Sequence, residues 1–315
     1  MNPAENVSLQ ALAGLRVFER GWLSSNNILI HAAAAEAGAV LVDTGHVNHS
    51  AQTLALVKNA LAGRPLARIV NTHLHSDHCG GNATLQRAFD VPVAVPPGHA
   101  AAVQAWDEDA LTYRASGQHI ERFSAAEVMH PNTTWRAGGR DWRALAAPGH
   151  DEHSLVYFDT THGVLISADA LWENGFGAVF PEMLGEPGFD AVGATLDMIE
   201  SLHAQVVVPG HGRPFSDVAG ALARARRRLA GFKTEPAKHA RHAGKVLIKY
   251  HLMEVREQSL ADLRQWAQTT PFLVAVWRQH MAGSVATPAD WAEQIATELV
   301  AQGALQRRAD LLQDA

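Results

Sequence analysis

Cysteine is nearly missing from this 315-residue chain: Cys79 stands alone, so no intrachain disulfide framework can form and a reducing compartment is expected. The opening stretch, Met1–Gly21, lacks a basic start followed by an apolar core, so no secretory leader is read there. No uncharged apolar run reaches the about 20 residues of a membrane span. These absences lead to the expectation of a cytoplasmic protein without a membrane partner. An excess of positive charge is missing too. Lys and Arg number 26 against 32 Asp and Glu, a net charge of −6, which speaks against a generic binder of nucleic acid or anionic lipid. Neither a Gly-x-Ser-x-Gly elbow nor a nucleophilic cysteine setting is present, which speaks against covalent catalysis. What is abundant is histidine, at 18 residues, beside a hydrophobic content of 47% that is ample for a large core. Histidine ligates metals and moves protons near neutral pH, so placement decides its meaning.

Along the chain, residues 15–19, 26–31 and 39–42 read as short strands. Leu54, Val57 and Leu61 mark a helical stripe over 50–61, stopped by Gly63 and Pro65. Ile69 and Val70 begin a buried strand that runs into a histidine cluster. A helix over 82–89 and a strand over 91–95 complete a strand–helix–strand unit. Residues 100–130 read as helical with an exposed loop. Two strands over 133–146 turn at Gly138-Gly139, and strands at 155–158 and 164–167 follow. Val192, Leu196, Ile199 and Leu202 predict an amphipathic helix over 190–203 with Asp190 as N-cap, before a last strand at 206–208. After about residue 217 strand signals stop and helical ones dominate. The chain is therefore divided into 1–220 and a helical region, 221–315, with a basic face at Arg224, Arg226, Arg227 and Arg228.

The chemistry concentrates in Thr72-His73-Leu74-His75-Ser76-Asp77-His78. Three imidazoles and a carboxylate follow a buried strand directly, and Gly80-Gly81 lets the backbone turn afterwards. Neutral imidazole and carboxylate suit zinc and similar divalent ions. A loose surface histidine tract would lack that flanking strand and those glycines. His150, Asp169 and His211 each stand just past an apolar strand, where layered α/β folds collect their sites. Singly each would be an ordinary turn residue. Together the seven suit two metals with room for water.

In this set, His73-x-His75-x-Asp77-His78 with His150, Asp169 and His211, the chain resembles the metallo-β-lactamase superfamily over roughly residues 15–215. The resemblance implies a four-layer αββα sandwich of the α/β class, here with a C-terminal helical appendage. It implies two divalent metal ions per chain, zinc first with iron or manganese as alternatives. His73, His75 and His150 would hold the first ion and Asp77, His78 and His211 the second, with Asp169 bridging. A bridging hydroxide would attack the substrate, and Asp77 would also handle a proton. Secreted β-lactamases of the first subclass carry a cysteine near the bridging position. Asp169 aligns this chain instead with glyoxalase II-like, lactonase-like and phosphodiesterase-like hydrolases. Asp43 in Val42-Asp43-Thr44-Gly45 and His153 match further family positions, with roles in supporting ligand side chains.

The substrate signal is thinner. Trp172, Phe176 and Phe180, interleaved with glycines after Asp169, suggest an apolar wall over the metals. Such a wall favours a small acyl substrate (ester, thioester or lactone) over a polyanion. His46 and His49 are placed to line the entrance. The C-terminal helices are expected to cap the site or form a homodimer interface. Because residues 299–308 look winged-helix-like, a DNA-binding or regulatory protein with a vestigial enzyme core is the alternative class, alongside a phosphodiesterase or β-lactamase-like hydrolase.

Overall fold

The computed structural model describes residues 10–315, so residues 1–9 of the stretch read for a leader lie outside the described residues. The first sheet contains β1 (Leu15–Phe18), β2 (Asn27–Ile30), β3 (Ala39–Val42), β4 (Leu66–Val70), β5 (Val93–Val95) and β6 (Glu127–Val128), in that order. β1 to β3 pair antiparallel, and β3 to β6 pair parallel. Parallel neighbours need crossovers. These are α1 (Ser50–Leu61) before β4, α2 (Ser76–Cys79) and α3 (Asn82–Phe89) before β5, and α4 (Pro97–Ala105) and α5 (Tyr113–Ser116) before β6. The second sheet contains β7 (Thr134–Ala137), β8 (Arg140–Ala146), β9 (Leu155–Asp159), β10 (Val164–Ala168) and β11 (Val206–Pro209), in the order β11-β10-β9-β8-β7. Helices α6 (Phe180–Met183) and α7 (Phe189–Ser201) connect β10 to its parallel partner β11.

Alternating side chains build the four layers, because successive strand residues point to opposite faces. Ile28, Ile30, Val40, Val42, Tyr157, Val164, Ile166, Val206 and Val208 pack between the sheets with Trp142. Leu29 and Leu41 face the other way, onto Val57 and Leu61 of α1. Val156, Phe158, Leu165 and Val207 face outward from the second sheet onto Leu196 and Ile199 of α7. This is the expected αββα sandwich. Among the described residues no helix is long and apolar enough to cross a membrane.

Three local readings are corrected. Helix α7 is not capped by Asp190. Glu182 Oε1 accepts from the Gly188 and Phe189 amides at 2.7 and 2.9 Å, while Asp190 sits exposed in the first turn and pairs with Lys233 Nζ at 2.6 Å. Residues 100–130 are mostly loop around α4 and α5, because polar and small residues leave little apolar periodicity after Ala105. Strands do not stop near 217. After α8 (Val218–Thr234) and α9 (Pro236–Val255), β12 (Glu257–Ser259) joins a sheet with β13 (Leu305–Arg308) and β14 (Leu311–Asp314). Between them lie α10 (Leu260–Thr269), α11 (Pro271–Val276), a π-helical turn at Trp277–Met281, and α12 (Pro288–Ala301). These strands are three or four residues long and mostly exposed, so they carry no legible apolar pattern.

Packing also changes later than residue 220. Ala221, Leu222, Ala225, Leu229 and Phe232 of α8 belong to the outer cluster of the sandwich, whereas from Ala240 of α9 onward the buried apolar residues join a third cluster that also takes in Ala178 and Met183. The arginine face of α8 is largely consumed there. Arg226 pairs with Asp197 and Glu200 of α7, Arg224 reaches Asp217 and the Glu173 carbonyl, and Arg228 donates to the Phe176 carbonyl.

Between strands, Arg140 is buried with its guanidinium on Asp159 Oδ2 at 2.8 Å and on the Ala11 and Ala13 carbonyls. Removing one partner of a buried pair strands the other charge. Arg140→Ala should therefore lower unfolding free energy by about 3–5 kcal/mol. Urea unfolding checks this, as a lower midpoint at unchanged slope.

Candidate metal centre

All seven candidate ligands lie at one end of the sandwich, past the carboxyl ends of β4, β8, β10 and β11. Their side chains form two groups: His73, His75 and His150, and Asp77, His78, Asp169 and His211. Within each group the ligand atoms lie within 4.8 Å of one another. His73 Nε2 is 3.1 Å from His75 Nδ1, which is 2.8 Å from His150 Nε2. Two nitrogens bound tetrahedrally to one zinc at about 2.0–2.1 Å would stand about 3.3 Å apart, so these spacings suit convergence on one ion. His150 Nδ1–H donates to the Ala178 carbonyl at 2.6 Å, which leaves the Nε2 lone pair facing the group.

Asp169 sits between the groups. Its Oδ2 is 3.3 Å from His150 Nε2, and its Oδ1 is 3.4 Å from His78 Nε2 and 3.9 Å from His211 Nε2. Asp77 Oδ2 is 3.0 Å from His211 Nε2 and 3.6 Å from His78 Nε2. Two glycines permit this crowding. A Cβ at position 210 would meet Asp169 Oδ1 at 2.2 Å, and one at 177 would meet His150 Nδ1 at 2.4 Å. Trp172 Nε1–H donates to Asp169 Oδ1 at 3.2 Å, and Trp22, 58% exposed, stacks on His211 with ring centres 5.2 Å apart. Asn26 stitches the loops together, its Nδ2 donating to the Pro209 and Gly212 carbonyls.

Asp43 reaches the site from the end of β3. Its backbone is left-handed, at φ 55°, a conformation aspartate tolerates. The carboxylate accepts from Thr72 N–H at 2.9 Å, Thr72 Oγ1–H at 2.7 Å and His78 Nδ1–H at 2.7 Å. This fixes the His78 tautomer, so Nε2 points at Asp77 and Asp169. That nitrogen is buried and has no hydrogen-bond partner among the described residues. A buried lone pair facing two carboxylates is what a cation would satisfy, and the donor set fits zinc, iron or manganese.

The charges are in tension without a cation. Burial would lower the His78 pKa, but Asp77, Asp169 and Asp43 raise it well above the ordinary imidazole value. Burial would raise the two carboxylates, yet His78 and His211 hold Asp77 down to about 2 and, with His150, keep Asp169 well below the usual range. On the other side, burial and then the neighbouring imidazoles His78, His75 and His150 push His73 well down; burial and His150 lower His75 to about 4. His73 and His75 are therefore neutral, and the other group is rich in negative charge.

Other expected residues fall differently. His153 does not touch a ligand side chain. Its ring packs on His99, 4.8 Å between centres, and Asp151 instead approaches ligand His75, Oδ2 to Nε2 3.8 Å. The adjacent carboxylate of Asp151 is visible in Gly149-His150-Asp151 but carries no periodicity to separate it from a turn. Trp172 and Phe180 line the cavity over the ligands, whereas Phe176 turns away into the core beside Phe232. His46 and His49 are not entrance residues: His46 is buried against Tyr250, and His49 Nδ1 bonds Ser24 Oγ. Cys79 is packed inside, near the Leu74 carbonyl and the Tyr113 hydroxyl, and burial pushes its thiol pKa up. Tyr250, Val246 and Met253 of α9 complete the cavity wall. Nothing near the histidine motifs announces them, since they are distant in sequence.

An αββα sandwich with paired His/Asp groups at its strand ends defines a metal-binding class. The chain belongs to the metallo-β-lactamase superfamily: the model described as "Metallo-beta-lactamase superfamily" matches residues 20–211. A hydroxyacylglutathione hydrolase of Synechococcus sp. (strain JA-3-3Ab) is 34% identical over 134 residues, 41% of this chain and 46% of its own. An atrochrysone carboxyl ACP thioesterase of Aspergillus fumigatus is 24% identical over 255 residues, covering 76% of this chain and 53% of its own. The chain spans about half the length of the curated relatives it matches. A metallo-beta-lactamase family protein from Thermus thermophilus shares the fold with TM-score 0.57 at 18% identity, over 96% of this chain and 99% of that one.

Outer residues that orient metal ligands typically contribute about 10–100-fold to metal affinity. Asp43→Ala frees the His78 ring and should weaken zinc binding by that factor. Competition with a chromophoric chelator measures it, with circular dichroism confirming the fold.

Proposed function

We propose that this protein is a metal-dependent hydrolase of small acyl substrates (thioester, ester or lactone) with two ions held side by side. The observation that carries the reading is Asp169, whose two oxygens face separate ligand groups at the floor of an apolar cavity. Bound divalent ions would supply Lewis acidity and bring the pKa of water to about 7. The residues of the chain do the remaining work. His73, His75 and His150 present three imidazole nitrogens to one ion, and Asp77, His78 and His211 the second set. Asp77, held ionised by its histidine neighbours, lines the cavity and is the acceptor for the proton that attacking water loses. Trp172 orients Asp169, and Phe180 covers His75 with ring centres 4.5 Å apart, excluding bulk water. A hydroxyacylglutathione hydrolase and an ACP thioesterase among the relatives support the acyl class.

The DNA-binding alternative finds less support. In the C-terminal region, Arg241 and Lys245 pair with Glu298, Lys249 with Asp314, and Arg264 with Asp290 and Glu293, so much of its positive charge is internally balanced.

A panel of thioesters, lactones, phosphodiesters and β-lactams tests the reading. Acyl substrates should turn over and lose activity with chelator, and β-lactams should be poor. Hydrolysis restricted to phosphodiesters would overturn it. Asp169→Asn keeps the shape but removes the charge facing both groups. It should lower kcat/KM by at least about 10²-fold, beyond the range typical of supporting residues, with the fold retained. Near-full turnover would make Asp169 an ordinary turn residue.

A further inference from the structure

We infer that the acyl group is an apolar chain lodged between the metal-ligand face and α9, so that the C-terminal region sets chain-length preference. This rests on the acyl-hydrolase reading above. The cavity over the ligands measures about 330 Å³, at the small end of ligand pockets, which run about 300–1,000 Å³. His75, Asp77, His150, Asp169 and His211 form one end, and Val246, Tyr250, Met253 and Leu299 form the opposite wall. Phe180 joins the two. Its ring lies 5.4 Å from His150 and 5.5 Å from Phe272 in the C-terminal core.

Gln118 and Thr112 also line this cavity, but several of its other polar groups are engaged elsewhere. Tyr250 Oη shares a 2.9 Å hydrogen bond with Ser76 Oγ, and Ser116 Oγ donates to the Thr112 carbonyl at 2.9 Å. Lys245 and Lys249 send their ammonium groups to Glu298 and Asp314, leaving their methylene stems beside the cavity. Burial, then Arg228 and Lys245, bring His242 to about 4, so it is neutral there at pH 7. Among the described residues that the C-terminal region contributes to this wall, no free charge is left to recognise a polar acyl tail.

The other side of the ligand set differs. A second cavity of about 240 Å³ shares Trp22, Trp172 and His211 with the first, but adds Arg20, Glu173, Asn174 and Arg213. The substrate therefore lies across the ligands, chain toward α9 and hydrophilic leaving group toward Arg213. In hydrolysis, water adds to the acyl carbon as its C–S or C–O bond breaks. The acid keeps the new oxygen, and the leaving thiol or alcohol takes the proton.

The test is a thioester series on one thiol, from acetyl to decanoyl. Each methylene buried is worth about 0.8 kcal/mol, so kcat/KM should rise about fourfold per added methylene until the cavity fills. Met253→Trp should lower the octanoyl-to-acetyl ratio of kcat/KM by at least about tenfold, through overpacking of the wall. Met253→Ala should move the optimum to a longer chain, which keeps the test open if the tryptophan variant does not fold. Calorimetry with 1-octanol, an uncharged chain of similar length, gives a readout independent of turnover: one molecule bound per chain, lost in Met253→Trp. A flat chain-length series with acetyl thioester still cleaved, or no octanol binding, overturns this inference and leaves the hydrolase reading intact. Octanol binding without cleavage of any acyl substrate overturns the hydrolase reading and leaves the apolar chain site.

Discussion

Three carboxylates share one buried corner of this molecule, and the rest of the site is arranged around that charge. Asp43, Asp77 and Asp169 are all buried, within reach of a single imidazole, His78. Taking a carboxylate out of water costs several kcal/mol even after relaxation. One unit charge about 4 Å away returns only about 4 kcal/mol at an effective dielectric constant of about 20. His78 alone therefore cannot offset all three; His211 and His150 share the task in the ion-free site, and divalent charge would do it more fully. The histidine group beside it has the complementary problem, with His75 Nδ1 pressed to 3.1 Å from His73 Nε2 and 2.8 Å from His150 Nε2. Bound cations would resolve both at once.

The fold delivers these groups without long loops. Parallel crossovers of the first sheet end β4 at Val70 and hand the chain directly to His73–His78. The second sheet brings Asp169 and His211 from neighbouring strands, β10 and β11, paired in parallel. Left-handed backbone falls where the carboxylates must be aimed: Asp43 at φ 55° and Ala168, just before Asp169, at φ 46°. Such conformations cost of order 1–3 kcal/mol for most residues and persist where surrounding contacts enforce them. The C-terminal region closes the remaining side. Tyr250 bonds Ser76, next to Asp77, and Asn48 Nδ2 donates to the Glu254 carbonyl, so α9 is seated on the turn that carries Asp77 and on the segment that follows Asp43.

The sandwich is legible in the sequence because its strands alternate or run apolar, and α1 is readable to the residue from Leu54, Val57 and Leu61. The seven ligand candidates are legible because each follows an apolar strand. Asp43 is legible through its turn. What the chain conceals depends on distance. Val246, Tyr250 and Met253 face the site only because α9 folds back across it, and no local pattern encodes that. Phe176 and Phe180, four residues apart around a glycine, look equivalent in sequence. Only the tertiary fold sends one to the core and the other to the cavity. The short exposed strands of the C-terminal sheet are hidden for the opposite reason, having too little apolar content to show a period. Helix α8 looks like the start of the appendage, but its apolar face belongs to the sandwich.

The central claim is that two adjacent ligand groups each hold an ion, with Asp169 shared between them. Titrating metal-free protein with zinc in a calorimeter, with elemental analysis of the product after desalting, tests it most directly. The account predicts two ions per chain in the wild-type protein. Saturation at a single ion per chain, under conditions where the protein is folded and zinc is in excess, would contradict it.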